Sequence, residues 1–387
     1  MSSAPTLDVE RAVRERYAAA AQQREAALCC PVDYDPRHLA AIPPEVLERD
    51  YGCGDPSRHV RAGDCVLDLG SGSGKICFIA AQVAGPTGRV IGVDLNDEML
   101  ELARKSAPVV AGRVGFANVE FRRGRIQDLA LDLDRLDAWL REHPIARASD
   151  LAACDEHCAR QRSEAPLIPD ASVDLVVSNC VLNLVRPGDK AQLIREIFRV
   201  LKVGGRIAIS DIVCDEPVPA GLQADPELWS GCVSGAFQEA EILRELEAAG
   251  FHGIAIDQWS ETPFRVVDGI EFRSVTLTAH KGKQGPCFEA NQAVIYRGPW
   301  KQVLDDDGHW LRRGERAAVC AKTFRLLCSE PYAAEIVPLP PRVEIPEAER
   351  ALFDCSRKAP RHPRESKGLE YRATSEAVSA CEPGTCC

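Results

Sequence analysis

At 387 residues the chain is long enough for two or three domains with an ample core. No apolar run approaches the length of a membrane span, and Met1 to Glu10 carries acids without an apolar stretch, so neither a membrane protein nor a secretory leader is expected. The net charge of −11 argues against a partner bound by neutralising phosphates, which removes nucleic acid from the expected partners. Seventeen cysteines are the compositional anomaly. With no sign of export and an α/β pattern that needs no staples, they read as reduced thiols in a cytoplasmic setting. Cys65 and Cys77 fall in apolar runs and are expected as core filler.

Residues 1–60 read as a helical segment with a thiol-bearing loop. A helix over Val9–Leu28 ends at Cys29-Cys30-Pro31, a cysteine pair that is either a metal or metalloid contact or a chance neighbour. Tyr51-Gly52-Cys53-Gly54 then sets a thiol between two glycines, without the apolar neighbours of a core residue. Residues 61–215 carry the strand–helix alternation of a doubly wound domain. The strand Val66-Leu67-Asp68-Leu69 runs into Gly70-Ser71-Gly72-Ser73-Gly74, whose glycines permit positive φ and close approach to a ligand. A helix follows over Lys75–Val83, and a second strand, Arg89–Asp94, ends in a carboxylate followed by Leu95. The third strand, 119–124, leads into Ile126 and Gln127. Residues 131–169 form a polar helical insertion in which Cys154, His157 and Cys158 supply too few ligands for a closed metal site. The fourth strand ends at Asn179 and Cys180, where doubly wound folds put their chemistry. A helix over 190–202 is expected to be capped by Gly204-Gly205 before a fifth strand, Arg206–Asp211.

Residues 216–281 read as an α+β cap over the crevice. A turn-rich stretch around Cys232 is followed by a helix from Glu239 and strands at Ile254–Trp259 and Phe272–Ala279. Residues 282–335 read as a β-rich module with strands at Gln292–Tyr296 and Arg316–Phe324 around the turn Asp305-Asp306-Asp307-Gly308. The remainder, 336–387, is expected to be an unordered tail ending in Cys381, Cys386 and Cys387.

Strand, glycine turn and an acid at the second strand end resemble the S-adenosylmethionine-dependent methyltransferases. The fold class expected is therefore α/β: a doubly wound, Rossmann-like class I methyltransferase domain with an α+β substrate-binding cap and a small β-rich C-terminal module. Methyl transfer to O, N or C usually needs a general base, and none stands out in the crevice segments. Cysteines stand out instead. Soft thiolates select soft centres, and trivalent arsenic takes three sulfurs while keeping the lone pair that would attack a methyl group. Tyr51-Gly52-Cys53-Gly54, Ser178-Asn179-Cys180-Val181-Leu182-Asn183 and Cys232-Val233-Ser234-Gly235-Ala236 resemble, in order, the motifs of the arsenite methyltransferases.

That resemblance implies As(III) bound by Cys53, Cys180 and Cys232, with Cys29 or Cys30 and Cys53 in the first methylation and in disulfide exchange. It implies S-adenosylmethionine held by Asp68, Gly70, Ser71, Gly72, Asp94, Leu95, Ile126, Gln127 and Asn179. It also implies a thiol reductant, glutathione or thioredoxin, and a monomer working on small As(III) species. Two departures stand against it: Gly231 occupies a position where the family commonly carries an acid, and the insertion at 131–169 is longer than expected. A methyltransferase of an organic small molecule and a thiol-rich metalloid sensor without turnover remain the alternatives.

Overall fold

The computed structural model describes residues 8–22, 25, 32–49, 51–356 and 367; Cys29, Cys30, Cys381, Cys386 and Cys387 lie outside them. The chain forms two units, 1–282 and 283–387. Apolar runs that alternate in facing direction build the first around a central sheet. Elements follow as α1 (Val9–Gln22), α2 (Pro36–Leu39), α3 (Pro44–Glu48), β1 (Cys65–Leu69), α4 (Lys75–Ala84), β2 (Arg89–Asp94), α5 (Asp97–Val114), β3 (Val119–Arg123), α6 (Leu133–Glu142), α7 (Ala148–Glu164), β4 (Val173–Asn179), α8 (Pro187–Val200) and β5 (Leu201–Cys214). After them come α9 (Ala220–Gln223), α10 (Pro226–Ser230), β6 (Phe237–Gln238), α11 (Glu239–Ala248), β7 (His252–Trp259), β8 (Arg265–Val267) and β9 (Ile270–His280).

The sheet order is β3-β2-β1-β4-β5-β9-β7, parallel through β5, with β9 antiparallel to both of its neighbours. Leu67, Leu69, Ile91, Val93 and Val176 face one core with Ile194 and Ile197 of α8 and Ile242 and Leu246 of α11. Val66, Val90, Leu175 and Val177 face the other, with Phe78 of α4 and Leu100 of α5. Both faces are covered, so these strands read as continuous apolar runs. The order reverses at β1, between β2 and β4, so the crevice outside their carboxyl ends is the topological switch point. The strands of 216–281 hydrogen-bond into this same sheet, continuing it beyond β5.

One local expectation changes in this unit. Gly204-Gly205 do not cap a helix: α8 ends at Val200, and the glycines sit within β5 at a register shift opposite Val173 and Leu175, with Gly204 at φ +88°. The insertion forms α6 and α7, and its His157 ring stacks on Trp139 at 4.6 Å. α5 runs from Asp97 through Pro108 to Val114.

The second unit holds β10 (Gln292–Tyr296), β11 (Gln302–Leu304), β12 (Trp310–Arg312), β13 (Arg316–Val319), α12 (Ala321–Leu327) and β14 (Ile336–Leu339). β13-β10-β14 form an antiparallel sheet, and Asp305–Gly308 turns the β11–β12 hairpin. The expected strand Arg316–Phe324 stops at Val319, because the Cys320 sulfur accepts the Thr323 N–H and starts α12. β14 lies in the stretch read as an unordered tail, which therefore does not begin at 336. Pro338 is tolerated there because β14 is an edge strand. Among the described residues no helix is long and apolar enough to cross a membrane.

Phe78 is fully buried, with its ring edge-on to Phe121 at 5.7 Å. Phe78→Ala is expected to cost about 3–5 kcal/mol, seen as a lower urea midpoint with an unchanged slope.

Candidate functional site

The carboxyl ends of β1, β2 and β4 open on a cavity of about 140 Å³. Its wall includes every residue that the sequence assigns to a cofactor: Asp68, Gly70, Ser71, Gly72, Asp94, Leu95, Ile126, Gln127 and Asn179. Gly70, Gly72 and Gly74 all have positive φ, as the glycine turn requires. A Cβ on Gly72 would meet nothing within 4 Å, whereas one on Gly70 would strike Val181. The turn is therefore open to the cavity at Gly72 and closed against protein at Gly70. Asp94 accepts the N–H groups of Gly72 and Asn96, both at 2.8 Å. Burial nevertheless raises its carboxyl above the usual value, with the Asn96 and Gly72 N–H groups opposing that. Ser71 Oγ is buried without a hydrogen-bond partner among the described residues.

One end of the cavity is made by Cys180, immediately beyond β4. The structure brings Cys53, Cys180 and Cys232 together from three separate segments. The Cys180 thiol interacts with the thiols of both Cys53 and Cys232, which makes it the middle of a sulfur chain. Cys53, Cys180 and an Asp211 oxygen lie within 4.8 Å of one another, and Cys232 Sγ reaches the Cys180 carbonyl at 2.9 Å. Cys180 and Cys232 have φ of +63° and +60°, which non-glycine residues seldom adopt. Local strain of this kind persists where surrounding structure imposes it.

Two asparagines tie the thiol-bearing segments to the end of β4. Asn179 Oδ1 accepts the N–H groups of Cys53 at 2.9 Å and Gly54 at 3.2 Å, while its Nδ2 donates to the Gly54 carbonyl and the Tyr34 hydroxyl. A Cβ on Gly52 would lie 2.3 Å from Asn179 Nδ2, and one on Gly54 2.5 Å from Ser210 Oγ, so both glycines are there to let the loop close on β4 and β5. Asn179 was expected to face a cofactor; it lines the cavity, but its amide holds the Cys53 loop. Asn183, four residues on, donates to the carbonyls of Ile212 at 2.6 Å and Cys232 at 3.3 Å.

Burial sets the protonation of the cluster. The two neighbouring thiols and then burial hold Cys180 well above the usual thiol value. Burial pushes Cys53 up as well, against the hydrogen bond from Cys180. Asp211 is pushed up to about 6 by burial, although the N–H groups of Ile212 and Leu182 act against it. Cys53 and Cys180 are therefore neutral at pH 7.

Sequence reasoning missed the helix over this site. In α1, Glu10, Val13, Arg14 and Tyr17 line the cavity, and the Tyr17 hydroxyl lies 3.9 Å from Cys232 Sγ. Burial, then Cys232 and Cys180, raise the Tyr17 phenol well above its usual value. Arg16 fastens the helix to α10 through the Glu227 carbonyl and Ser230 Oγ. Val9, Val13, Tyr17 and Ala20 recur at helical spacing, which is the signal that one face of α1 is covered.

Comparison with known proteins adds the following. A family described as a methyltransferase domain matches residues 61–165 and 156–250, and a domain of unknown function matches 283–371. The chain is 33% identical over 309 residues to the arsenite methyltransferase of Aquipseudomonas alcaligenes, across 76% of this chain and 78% of that one. It is 28% identical over 371 residues to the arsenite methyltransferase of Homo sapiens, covering 89% and 88%. Among solved structures, the arsenic(III) S-adenosylmethionine methyltransferase of Chlamydomonas reinhardtii aligns with a TM-score of 0.55 and 27% identity, over 84% of this chain and all of that one.

Asp211 is expected to titrate near pH 6, read from its carboxyl carbon resonance. Its folded value is raised, so between the usual carboxylate value and about 6 the folded state keeps a proton that the unfolded chain has released. Stability from this group is thus full at low pH and falls as pH rises through that window, by on the order of 2–3 kcal/mol. A carboxyl carbon that titrates below pH 4.5 (roughly the ordinary range) would contradict the assignment.

Proposed function

The chain belongs to the arsenite methyltransferase family, and from that premise we propose that it transfers methyl groups from S-adenosylmethionine to thiol-bound trivalent arsenic. The convergence of Cys53, Cys180 and Cys232 at the end of β4, beside the glycine-turn cavity, is the observation that carries this reading. Three thiols suit As(III), which binds sulfur in a trigonal pyramid and keeps its lone pair. Neutral thiols suit it too: each As–S bond replaces an As–O bond, and the thiol proton leaves with the oxygen as water. No protein base is needed, in keeping with a site that offers only Asp211 and Tyr17 beside the sulfurs.

The cavity wall fits the donor. The unpartnered Ser71 Oγ and the open face at Gly72 suit the amino-acid portion, the Asp94 carboxylate suits ribose hydroxyls, and Ile126 and Gln127 suit the adenine. Bound there, S-adenosylmethionine supplies an electrophilic methyl group on a sulfonium. What this chain contributes is position and exclusion of water. The Asn179 and Asn183 amides hold the sulfurs at one end of the cavity, and α1 covers them.

The reading takes Cys29 or Cys30 with Cys53 as the pair that exchanges disulfides, and a glutathione or thioredoxin system as reductant. It takes the cytoplasm as the compartment, which the twelve free thiols among the described residues favour. It takes a monomer acting on small arsenic species, with residues 216–281 as the segment that brings Cys232 to the substrate.

Cys180→Ser and Cys232→Ser are each expected to abolish methylarsenical formation from arsenite, measured by chromatography, with calorimetric affinity for S-adenosylmethionine little changed. Asp94→Asn is expected to do the converse at the cofactor. It should weaken S-adenosylmethionine binding by about 1.5–3 kcal/mol, the worth of a hydrogen bond to a charged group, while arsenite binding stays as in the parent. Unchanged turnover in both serine variants would overturn the arsenic site.

A further inference from the structure

The second unit contains another set of three thiols that the catalytic reading does not use. Cys287, Cys320 and Cys355 each place Sγ within 4.8 Å of the other two, although they are more than thirty residues apart in sequence. Backbone hydrogen bonds hold the three segments side by side. Ala321 N–H donates to the Phe288 carbonyl, Phe353 N–H to the Cys287 carbonyl and Glu289 N–H to the Ala351 carbonyl, each at 2.8 Å. The segment 287–289 is thus sandwiched between the start of α12 and the segment at 351–355. Cys320 is buried, while Cys287 and Cys355 are half-buried, so the cluster is built into the fold yet open on one side.

From this juxtaposition of three sulfurs, we propose that the C-terminal module carries a second binding site, for one trivalent arsenic centre on Cys287, Cys320 and Cys355. The choice of metalloid rests on the proposed activity of the methyltransferase unit. The donor set supports it independently. It is all sulfur, and no fourth His, Cys, Asp or Glu among the described residues completes it, as a closed tetrahedral zinc site would require. A trigonal-pyramidal centre needs three sulfurs only. The binding step is a condensation: As(OH)₃ with three cysteine thiols forms three As–S bonds and breaks three As–O bonds. Each thiol proton leaves on a water, arsenic stays trivalent, and no oxidant or reductant takes part.

Cys320 and Cys355 are shifted in opposite directions. At Cys320 burial acts upward but is outweighed by the Thr323 hydroxyl and N–H, the Cys287 thiol and the Lys322 N–H, so its value falls below the usual one. Cys355 is pushed up to about 12 by burial, with further contributions from Cys287 and Cys320.

The test uses the full chain carrying Cys180→Ser and Cys232→Ser, reduced and titrated with arsenite. Bound arsenic is measured after desalting, and its coordination is read by arsenic K-edge absorption. The expected result is retained arsenic on three sulfurs. Adding Cys355→Ser, at a half-exposed position with no capping role, should weaken retention by about tenfold or more and reduce the shell to two sulfurs. Cys320→Ser should do the same; because that residue also starts α12, its fold is checked by circular dichroism. Equal arsenic load and an unchanged three-sulfur shell with and without Cys355→Ser would overturn the proposal. So would zinc that arsenite does not displace. Failure of the catalytic reading has a separate signature, methylation that survives in the Cys180→Ser, Cys232→Ser chain.

Discussion

The side-chain amides of Asn179 and Asn183 are the contacts on which the thiol centre depends. They lie four residues apart on either side of Cys180, just where β4 gives way to a turn. One binds the backbone of the Cys53 loop, and the other binds the carbonyl of Cys232. Three sulfurs that are remote in sequence thus share a single reference point, the end of a central strand buried on both faces. At Asn179 an amide serves better than a carboxylate or an amine, because it donates and accepts at once and carries no charge into a buried site, whereas Asn183 acts through its donor alone.

The same strand end joins this centre to the cavity. β1 and β4 are neighbours, so the glycine turn after β1 and Cys180 after β4 sit side by side at the switch point. The doubly wound fold supplies such a crevice whatever its cargo, and the chemistry is chosen by what is grafted around it. Here the grafts are the Cys53 loop, the Cys232 turn after α10, and α1 laid across both the thiols and the cavity. Burial raises Cys53, and the neighbouring thiols with burial raise Cys180, so both stay protonated and bring no charge into a dry interior.

The sheet and the glycine turn were legible because they rest on local rules. Val66–Leu69 and Arg89–Asp94 are apolar runs bounded by turn formers, and the glycines at 70, 72 and 74 take the conformations that only their lack of a Cβ makes cheap. The convergence of Cys53, Cys180 and Cys232 was legible through motifs and the topology of strand ends. Tyr17 was not, since a tyrosine in an alanine-rich helix carries no mark of what lies opposite. The strand expected through Phe324 was cut short by a cysteine acting as a cap, a role normally filled by Ser, Thr, Asp or Asn. Ile336–Leu339 was hidden by Pro338, which an edge strand accommodates. The cluster at Cys287, Cys320 and Cys355 has no spacing signature at all; only the pairing of segments far apart in the chain creates it.

The left-handed backbone at Cys180 and Cys232 sets stability and activity against each other at those two positions. A side chain in this region costs about 1–2 kcal/mol that glycine does not incur. Glycine there would relieve the turn and strengthen the fold while deleting the sulfur. A search guided by thermal stability alone would therefore drift toward replacing two residues of the proposed arsenic site. Serine retains the backbone cost and removes only the sulfur, which makes it the substitution that isolates the contribution of the thiol.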